Sequence, residues 1–352
     1  MGVDFKDLIP DDLRTPIKDL RLLRGKVVAI DAYNALYQFL TAIRQPDGTP
    51  LMDSQGRITS HLSGLYYRTI NLVENGIKPL YVFDGKPPEL KAREIEKRRM
   101  IKEDASRKYE EALKTGDLEA ARRYAAIAAK LSDQMVEDSK KLLDAMGIPW
   151  VQAPAEGEAQ AAFMVKTGDA YASASQDYDS LLFGSPRLIR NLAISGKRKL
   201  PRSDEYIEIY PELMELDKIL RKLGINHEAL VDIGILIGTD YNPDGFEGIG
   251  AKTAYQYVKT YGSIEKIPKP LLKSPVEVDV VTIKKYFLNP PVLKNYILEW
   301  REPDLNNIIE ILVKEHDFSE ERVRNAYDRL LKAYREHIKG TQQGLAKWFI
   351  RK

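Results

Sequence analysis

Apolar runs that end at an aspartate recur in the first part of the chain. The run at 27–30 is followed by Asp31, and the run at 80–83 is followed by Asp84. Between these two predicted strands, residues 62–75 carry apolar side chains at helical spacing. This alternation predicts an α/β fold with a central, mostly parallel sheet and helices on both faces. Ligands of such sheets bind at the carboxyl ends of the strands, where both aspartates fall.

Later stretches add more helices and strands to this prediction. Residues 86–133 are densely charged and rich in good helix formers, with a break at 115–117, which predicts two helices projecting from the sheet. Further helices are predicted at 139–146 and at 156–166, and helices are expected to dominate from 214 to 334. The remaining strands are predicted at 149–151, 169–174, 188–192 and 206–210.

The composition excludes several kinds of site. The 352 residues include no cysteine and four histidines, which excludes disulfides, thiolate zinc sites and cysteine nucleophiles and leaves little material for a histidine-rich metal site. The net charge of +2 is compatible with an acidic site inside a basic channel. The opening residues do not resemble a signal peptide, and no apolar run is long enough to cross a bilayer. We therefore expect a cytoplasmic protein without a membrane partner.

Carboxylates beside predicted strand or helix ends are the main candidates for chemistry. There are seven of them: Asp31, Asp84, Glu156, Glu158, Asp177, Asp179 and Asp240. Taken singly, each has an ordinary explanation as a helix cap, a first-turn acid or a turn former. Oxygen-only ligands from several segments nevertheless suit hard divalent ions. Together they favour a two-metal site that clamps the attacking and leaving oxygens of a displacement at phosphorus.

Six ordered motifs extend this interpretation over nearly the whole chain. They are Gly2-Val3, VAIDA at 28–32, YVFDGKPP at 81–88, APAEGEAQA at 153–161, SQDYDS at 175–180, and GTDY at 238–241 with GIG at 248–250. In this order they resemble the archaeal-type flap endonucleases of the structure-specific 5′ nuclease family, which is XPG-like. The resemblance implies a PIN-like nuclease core, a helical arch at 86–135 and a helix–hairpin–helix DNA element at 230–260.

The activity implied by this resemblance is metal-dependent cleavage of DNA at 5′ flap junctions. Such an enzyme would act in replication, during Okazaki fragment maturation, and in repair, and would also have 5′–3′ exonuclease activity. Two Mg²⁺ ions are implied, with Mn²⁺ as a substitute. The first ion is expected at Asp31, Asp84, Glu156 and Glu158. The second is expected at Glu158, Asp177, Asp179 and Asp240, with Glu158 as the bridging ligand.

Basic and aromatic positions gain roles from the same resemblance. Lys91 and Arg98 correspond to the basic pair that meets the scissile phosphate and so join the acids as catalytic residues; their charge pattern alone favours a solvated helix face. Tyr37 corresponds to the aromatic on which a base stacks, whereas on its own it suggests core packing. The remaining expected DNA contacts are Gly2, Arg44, Arg68, Glu156, Gly238 and Asp240.

A glycine-rich turn at 248–250 provides a second DNA element. Gly248, Gly250 and Lys252 resemble the helix–hairpin–helix motif, whose backbone amides approach a phosphate closely because glycine has no side chain. An ordinary helix-linking turn is the alternative. A monovalent cation accompanies this element in the family, so we expect one here as well.

The end of the sequence resembles a peptide that binds the sliding clamp, PCNA. Gln342 precedes Leu345, Trp348 and Phe349, which would together form an apolar plug. A disordered amphipathic end is the alternative. The resemblance further implies a monomer that associates with the nucleoid and recognises flap-structured DNA.

Four regions are predicted from the same correspondence. They are an N-terminal nuclease region at 1–104, an internal nuclease region at 105–260, a C-terminal helical region at 261–339 that packs on the core, and a clamp-binding tail at 340–352. A 5′ exonuclease and an excision-repair incision nuclease are alternatives within the family; the short tail and the modest insert argue against them. A noncatalytic DNA-junction and clamp adaptor is the alternative from another class. Lost carboxylates would indicate it, and all seven are present.

Overall fold

The computed structural model describes residues 2–45, 49–193, 196–199, 206–274 and 278–339. The chain divides into two compact units. The first unit consists of Met1–Lys18, Val82–Arg98 and Gln152–Lys294, and the second of Asp19–Tyr81, Arg99–Val151 and Asn295–Lys352. The fold is α/β, with a mixed sheet of mostly parallel strands, which confirms the predicted class. The four predicted regions stay a prediction.

The strands and helices follow the predicted alternation through most of the chain. The strands are β1 Thr15–Pro16, β2 Val27–Asp31, β3 Lys78–Phe83, β4 Trp150–Gln152, β5 Ala172–Ala174, β6 Arg187–Arg190, β7 Gly196–Lys199, β8 Tyr206–Ile209 and β9 Glu212–Glu215. The helices are α1 Ala32–Ala42, α2 Ser60–Glu74, α3 Ala92–Thr115, α4 Leu118–Ala128, α5 Asp133–Ala145, α6 Gly157–Thr167, α7 Asp179–Leu182, α8 Leu216–Leu223, α9 His227–Ile237, α10 Ala251–Tyr261, α11 Val280–Leu288, α12 Leu305–Ile309 and α13 Glu320–Ala333. The predicted pair of helices in the charged insert, α3 and α4, is confirmed.

In the first unit, β5, whose end leads into Asp177 and Asp179, pairs with β6, and the sheet continues from β6 through β9 to β1. β5 and β6 are parallel, with Ser173 opposite Leu188. β9 is antiparallel to β6 and to β1. The apolar face of α9 packs on α7, α10 and α11, and its residues 229–236 are all buried. Because α9 is apolar all round, it forms the centre of this unit's core.

The second unit is built around the apolar strand β2 and the helix α2. β2 neighbours β3, and the Lys78 amide donates to the Lys26 carbonyl at 2.9 Å. α2 packs against α1, α5 and α13. Tyr66 is fully buried on α2, yet its hydroxyl donates to the Val323 carbonyl at 2.9 Å, so the polar end of this large side chain is satisfied.

Helices dominate residues 214–334, as predicted, and two of the non-helical stretches in this range have clear causes. Met214 lies in β9, where Leu213 and Met214 pair with β6. The sheet partners on both sides of β9 outweigh the local helical pattern. Residues 289–304 are not helical either, because Pro290 and Pro291 cannot continue α11.

In the part of the chain that the structure describes, no helix combines the length and the apolar character needed to span a bilayer.

Candidate active site

Six of the seven predicted acids lie in the first unit, each at the end of an element. Asp84 follows β3, Glu156 and Glu158 flank the first residue of α6, Asp177 and Asp179 follow β5, and Asp240 lies between α9 and α10. The seventh, Asp31, belongs to the second unit, where it is buried and its carboxylate accepts from the Asn34 amide at 3.0 Å as the cap of α1. Its place in a metal site stays a prediction.

The glycine between Glu156 and Glu158 allows α6 to begin against Asp84. The Gly157 amide donates to Oδ1 of Asp84 at 2.6 Å. A Cβ at Gly157 would lie 2.8 Å from that same oxygen, closer than side-chain carbons are ever found. The Glu-Gly-Glu spacing is therefore required by this close approach, and it brings Glu156 beside Asp84 at a helix N-terminus.

The first residues of the chain hold Asp179 in place. The Val3 amide donates to Oδ1 of Asp179 at 2.7 Å, and a Cβ at Gly2 would lie 2.6 Å from this carboxylate. Burial raises the pKa of Asp179 to about 8, and the neighbouring Asp240 and Asp177 carboxylates add to the rise. Without a nearby cation this group would hold a proton at neutral pH.

Asp240 is positioned by a loop that is tied by its own side chains. The Thr239 hydroxyl donates to Oδ1 of Asn242 at 2.7 Å, and the Asn242 amide group donates to the Ile235 carbonyl at 2.6 Å. Gly238 precedes them with φ of +119°, a backbone conformation that side chains disfavour. These bonds fix the short segment between Thr239 and Asn242 that carries Asp240.

Lys91 lies among the acids and bridges two of them. Its Nζ is 2.7 Å from Oε2 of Glu156 and 3.0 Å from Oδ2 of Asp240, and its side chain is 13% exposed. Burial opposes its charge, but the Glu156, Asp240 and Asp84 carboxylates raise the pKa of Lys91 overall. Arg98 adds a second cation, with Nη2 3.1 Å from Oδ2 of Asp240. The predicted basic pair and the acids are thus in direct contact.

The donor set fits hard divalent cations. Burial raises the pKa of Asp84 and of Glu156, as it does for Asp179, so cations must offset the cost of their negative charges. All the grouped side chains offer oxygen, which Mg²⁺ prefers. Within the described ranges, however, no three acidic or histidine side chains converge tightly enough to form a ready-made metal site. The Lys91 ammonium provides the positive charge between Glu156 and Asp240.

The other two acids lie near this cluster with looser contacts. The Ser180 hydroxyl is 3.4 Å from Oε1 of Glu158, which connects Glu158 to the residue after Asp179. The Asp177 amide bonds to the Ser175 hydroxyl at 3.2 Å, and Asp177 is half-buried. Both residues therefore lie next to the segment that carries Asp179.

The predicted stacking residue in the second unit is covered by a lysine that sequence reasoning missed. Lys102 of α3 donates to the Tyr37 hydroxyl at 2.5 Å and lies 4.4 Å from the ring centroid. Arg44 donates to the Ala125 carbonyl of α4 at 3.1 Å, and Arg68 is exposed on α2. Tyr37 and Arg44 thus contact the two arch helices instead of the core, and the charge-dense sequence of the arch gave no signal for these pairings.

The predicted helix–hairpin–helix is present as α9 and α10 with the loop between them. Gly248 has φ of +72°, and Gly250 caps α10. A Cβ built at either glycine meets nothing within 4 Å, and Lys252 is exposed on the first turn of α10. The backbone of this loop is therefore open to a ligand. The predicted clamp-binding residues Gln342, Leu345, Trp348 and Phe349 lie outside the described residues.

Comparisons with known proteins cover the whole chain. Two family models match: the XPG N-terminal domain at residues 5–105 and the XPG I-region at residues 147–240. Flap endonuclease 1 of Staphylothermus marinus is 70% identical over 99% of this chain and 100% of that protein. Flap endonuclease 1 of Hyperthermus butylicus is 67% identical over 100% of both. The solved flap endonuclease-1 from Methanococcus jannaschii is similar with a TM-score of 0.75 and 46% identity, over 95% of this chain and 99% of that one.

Proposed function

The chain belongs to the flap endonuclease 1 family, and from this premise we propose that its seven carboxylates hold two Mg²⁺ ions for cleavage at 5′ flap junctions. It is a structure-specific flap endonuclease, a nuclease that hydrolyses phosphodiester bonds in replication and repair. Metal dependence is typical of this family. The observation that carries the proposal is the buried acid cluster around Lys91, in which negative charges outnumber the cations that accompany them.

The ligand sets follow the order of the motifs. Asp31, Asp84, Glu156 and Glu158 would hold the first ion. Glu158, Asp177, Asp179 and Asp240 would hold the second, so that Glu158 bridges, and Mn²⁺ would substitute for Mg²⁺. When bound, the ions supply Lewis acidity toward the attacking water and the departing oxygen. The raised pKa of Asp179, about 8 because of burial, supports this role, since a cation would favour the ionised form.

Lys91 and Arg98 would change partners during the reaction. In the structure, Lys91 pairs with Glu156 and Arg98 pairs with Asp240. Once these carboxylates bind metal, the two side chains become available to the scissile phosphate, whose added charge in the transition state they would stabilise. This exchange keeps the site neutralised both before and after the substrate arrives.

The DNA would be held on both sides of the scissile bond. A base would stack on Tyr37 after Lys102 moves off the ring, and Arg44 and Arg68 would bind phosphates of the flap strand. The Gly2 and Gly238 segments, which adjoin Asp179 and Asp240, would contact the strand beside the metals. At the hairpin, the open amides around Gly248 and Gly250, together with Lys252 and a monovalent cation, would bind the duplex.

The tail completes the proposal. Gln342, Leu345, Trp348 and Phe349 would dock on a PCNA-type clamp, which is how a monomeric, nucleoid-associated enzyme would be kept at replication junctions. A 5′–3′ exonuclease activity at nicks and the role in Okazaki fragment maturation belong to the same proposal. Deletion of residues 340–352 should remove clamp stimulation and spare cleavage without the clamp; equal stimulation of the truncated chain would reject the tail's role.

Single-turnover cleavage of matched flap, nicked and bubble substrates tests the central claim. We expect preferential flap cleavage that chelator abolishes and either Mg²⁺ or Mn²⁺ restores. Asp179→Ala should slow cleavage on the order of 100-fold or more, because it removes charge from the cluster, while flap affinity changes little. Asp217→Ala is the matched control, since its side chain is 88% exposed on α8. A near-normal rate for Asp179→Ala would exclude a metal-ligand role.

The exchange of Lys91 has its own test. Lys91→Ala should lower the rate at saturating enzyme more than it weakens flap binding. Lys97→Ala serves as the control, because Lys97 lies in α3, shortly after Lys91, but pairs with Asp244 at 2.8 Å outside the cluster. Weakened binding with an unchanged rate would mean that Lys91 only steers DNA toward the site.

A further inference from the structure

An arginine outside every motif contacts the turn that carries Asp177. Arg190 ends β6, which pairs in parallel with β5, and β5 leads into this turn. Its Nε donates to the Gln176 carbonyl at 2.8 Å, and its Nη1 donates to the Tyr178 hydroxyl at 2.6 Å. These two residues directly precede and follow Asp177. One side chain of the neighbouring strand therefore holds both residues that flank a candidate metal ligand.

The residue after Asp177 is anchored in the core. Tyr178 is 2% exposed, and its ring contacts Phe5, with ring centroids 6.0 Å apart and planes at 57°. The guanidinium carbon of Arg190 lies 4.2 Å from the centroid of the Tyr178 ring, a distance at which a cation is attracted to the ring face. The contact between Arg190 and Tyr178 thus combines a hydrogen bond with a cation–π interaction.

The residue before Asp177 is held by the end of β6 in two ways. Besides the bond from Arg190 to its carbonyl, Gln176 donates through Nε2 to Oδ1 of Asn191 at 2.7 Å. The Asn191 amide donates back to Oε1 of Gln176 at 3.3 Å. Asn191 has φ of +62°, a conformation that asparagine adopts more readily than most residues. Both the main chain and the side chain of Gln176 are therefore fixed.

The turn needs such support because it brings like charges together. The Asp177 carboxylate contributes to the raised pKa of Asp179, so the two acids are close enough to repel each other. Repulsion favours rotation of the two side chains away from each other, and a backbone that is held on both sides of Asp177 opposes this movement. Arginine suits the task, because its planar guanidinium offers several donors in a rigid fork.

We propose that Arg190 is a positioning residue for Asp177: by holding Gln176 and Tyr178 it fixes the turn between them and presents the Asp177 carboxylate to the second metal ion. The inference rests on the proposed function, in which Asp177 is a ligand of that ion. Mg²⁺ demands near-ideal ligand geometry, so a turn that can move would bind it less tightly. Loss of a group that orients a metal ligand lowers metal affinity about 10–100-fold.

Calorimetric titration of Mg²⁺ into the full-length, DNA-free protein is the first measurement. Arg190→Met should lower the Mg²⁺ affinity on the order of tenfold. Arg187→Met is the matched control, because Arg187 also lies on β6, donates to the Tyr171 carbonyl at 2.9 Å and has its guanidinium carbon 4.5 Å from that ring centroid. Both variants should melt at a lower temperature, but only Arg190→Met should lose Mg²⁺ affinity. Unchanged affinity in Arg190→Met, or an equal loss in Arg187→Met, would overturn the proposal. Where Arg190→Met does not fold, Tyr178→Phe replaces it under the same criteria, since it removes only the hydroxyl that accepts from Arg190.

A double substitution tests whether Arg190 acts through Asp177. Asp177→Asn should itself lower the Mg²⁺ affinity, and Arg190→Met should cause no further loss in that background, because both changes remove the same interaction. A further loss as large as in the wild-type background would overturn the role of Arg190. If Asp177→Asn keeps its Mg²⁺ affinity, the ligand set of the proposed function fails, and the role of Arg190 fails with it.

Single-turnover cleavage separates positioning of a metal ligand from contact with DNA. Arg190→Met should require more Mg²⁺ for half-maximal rate and approach the wild-type rate at saturating Mg²⁺, with flap affinity at saturating Ca²⁺ unchanged. Weakened flap binding together with a normal Mg²⁺ requirement would mean that Arg190 binds DNA and would refute the proposal.

Discussion

Replacing His61 with leucine should flatten the pH dependence of stability on the acid side. His61 lies in the first turn of α2, is 1% exposed, and has no hydrogen-bond partner at either ring nitrogen among the described residues. Burial, and then the charge of the neighbouring His316, lower the pKa of His61 to about 3. His316 itself lies between Asp53 at 3.3 Å and Asp138 at 3.8 Å.

The size of the effect follows from the difference between the folded and unfolded states. The pKa of His61 is about 3 in the folded protein and 6.5 in the unfolded chain, so folding favours the neutral imidazole. Its contribution is fully present above pH 6.5 and is lost as the pH falls toward the folded value. One proton taken up on unfolding gives a slope of about 1.4 kcal/mol per pH unit, so about 2 kcal/mol is lost between pH 6.5 and pH 5.

Guanidinium unfolding at pH 7.5, 6.5, 5.5 and 5.0 measures this slope. His61→Leu should lower it by about 1.4 kcal/mol per unit below pH 6.5, and its stability at pH 7.5 should equal or exceed that of wild type because two orphaned nitrogens are gone. His337→Gln, at a half-buried position in the last helical turn, is the control and should keep the wild-type slope. A wild-type slope in His61→Leu would refute the reasoning, because it would show that another group carries the acid sensitivity.

The remaining predictions concern contacts of the first unit. Gly2→Ala should slow single-turnover flap cleavage on the order of tenfold without changing the unfolding midpoint. The new Cβ would lie 2.6 Å from the Asp179 carboxylate and would push that carboxylate aside. Asp232→Ala should lower the free energy of unfolding, measured with guanidinium, by about 3 kcal/mol, because Lys284 loses the carboxylate that lies 3.0 Å away. A loss below about 1 kcal/mol would contradict a stabilising buried ion pair. Gly248→Ala should weaken duplex binding several-fold in equilibrium titrations at unchanged saturated rate, because φ of +72° strains alanine and its methyl group enters the open face of the loop.

Local patterns in the sequence were enough to find six of the nine strands in the described part of the chain and to single out the seven acids as candidates. The apolar runs before Asp31 and Asp84 correspond to β2 and β3, and the Glu-Gly-Glu segment starts α6. Each of these features depends on neighbours within a few residues, which is the range over which hydrophobic period and capping act. The pairing of β9 was missed because its partners, β1 and β6, are remote in sequence.

Contacts between remote segments decide the rest of the site. The Val3 amide bonds to Asp179, which is 176 residues away in sequence. Lys91 contacts Asp240 although the segments that carry these two residues share no local pattern. Motif order supplied the expected roles of Lys91 and Asp240 by resemblance, and no local pattern predicted that the two side chains meet.

The buried acid cluster destabilises the fold locally. Two kinds of group offset this: backbone amides that stay in place and a cationic side chain that can move away. Asp179 is supported by the fixed Val3 amide and Asp84 by the fixed Gly157 amide, each a neutral donor that remains in place. Glu156 and Asp240 instead rely on Lys91, a charged side chain that can leave. Backbone amide dipoles alone would not balance several buried carboxylates. Cationic side chains that could not move away would keep metal ions out. Under the proposed function a removable cation satisfies both requirements, because the metal-free site stays folded and the repulsion among its crowded carboxylates would favour binding of the ions that displace Lys91.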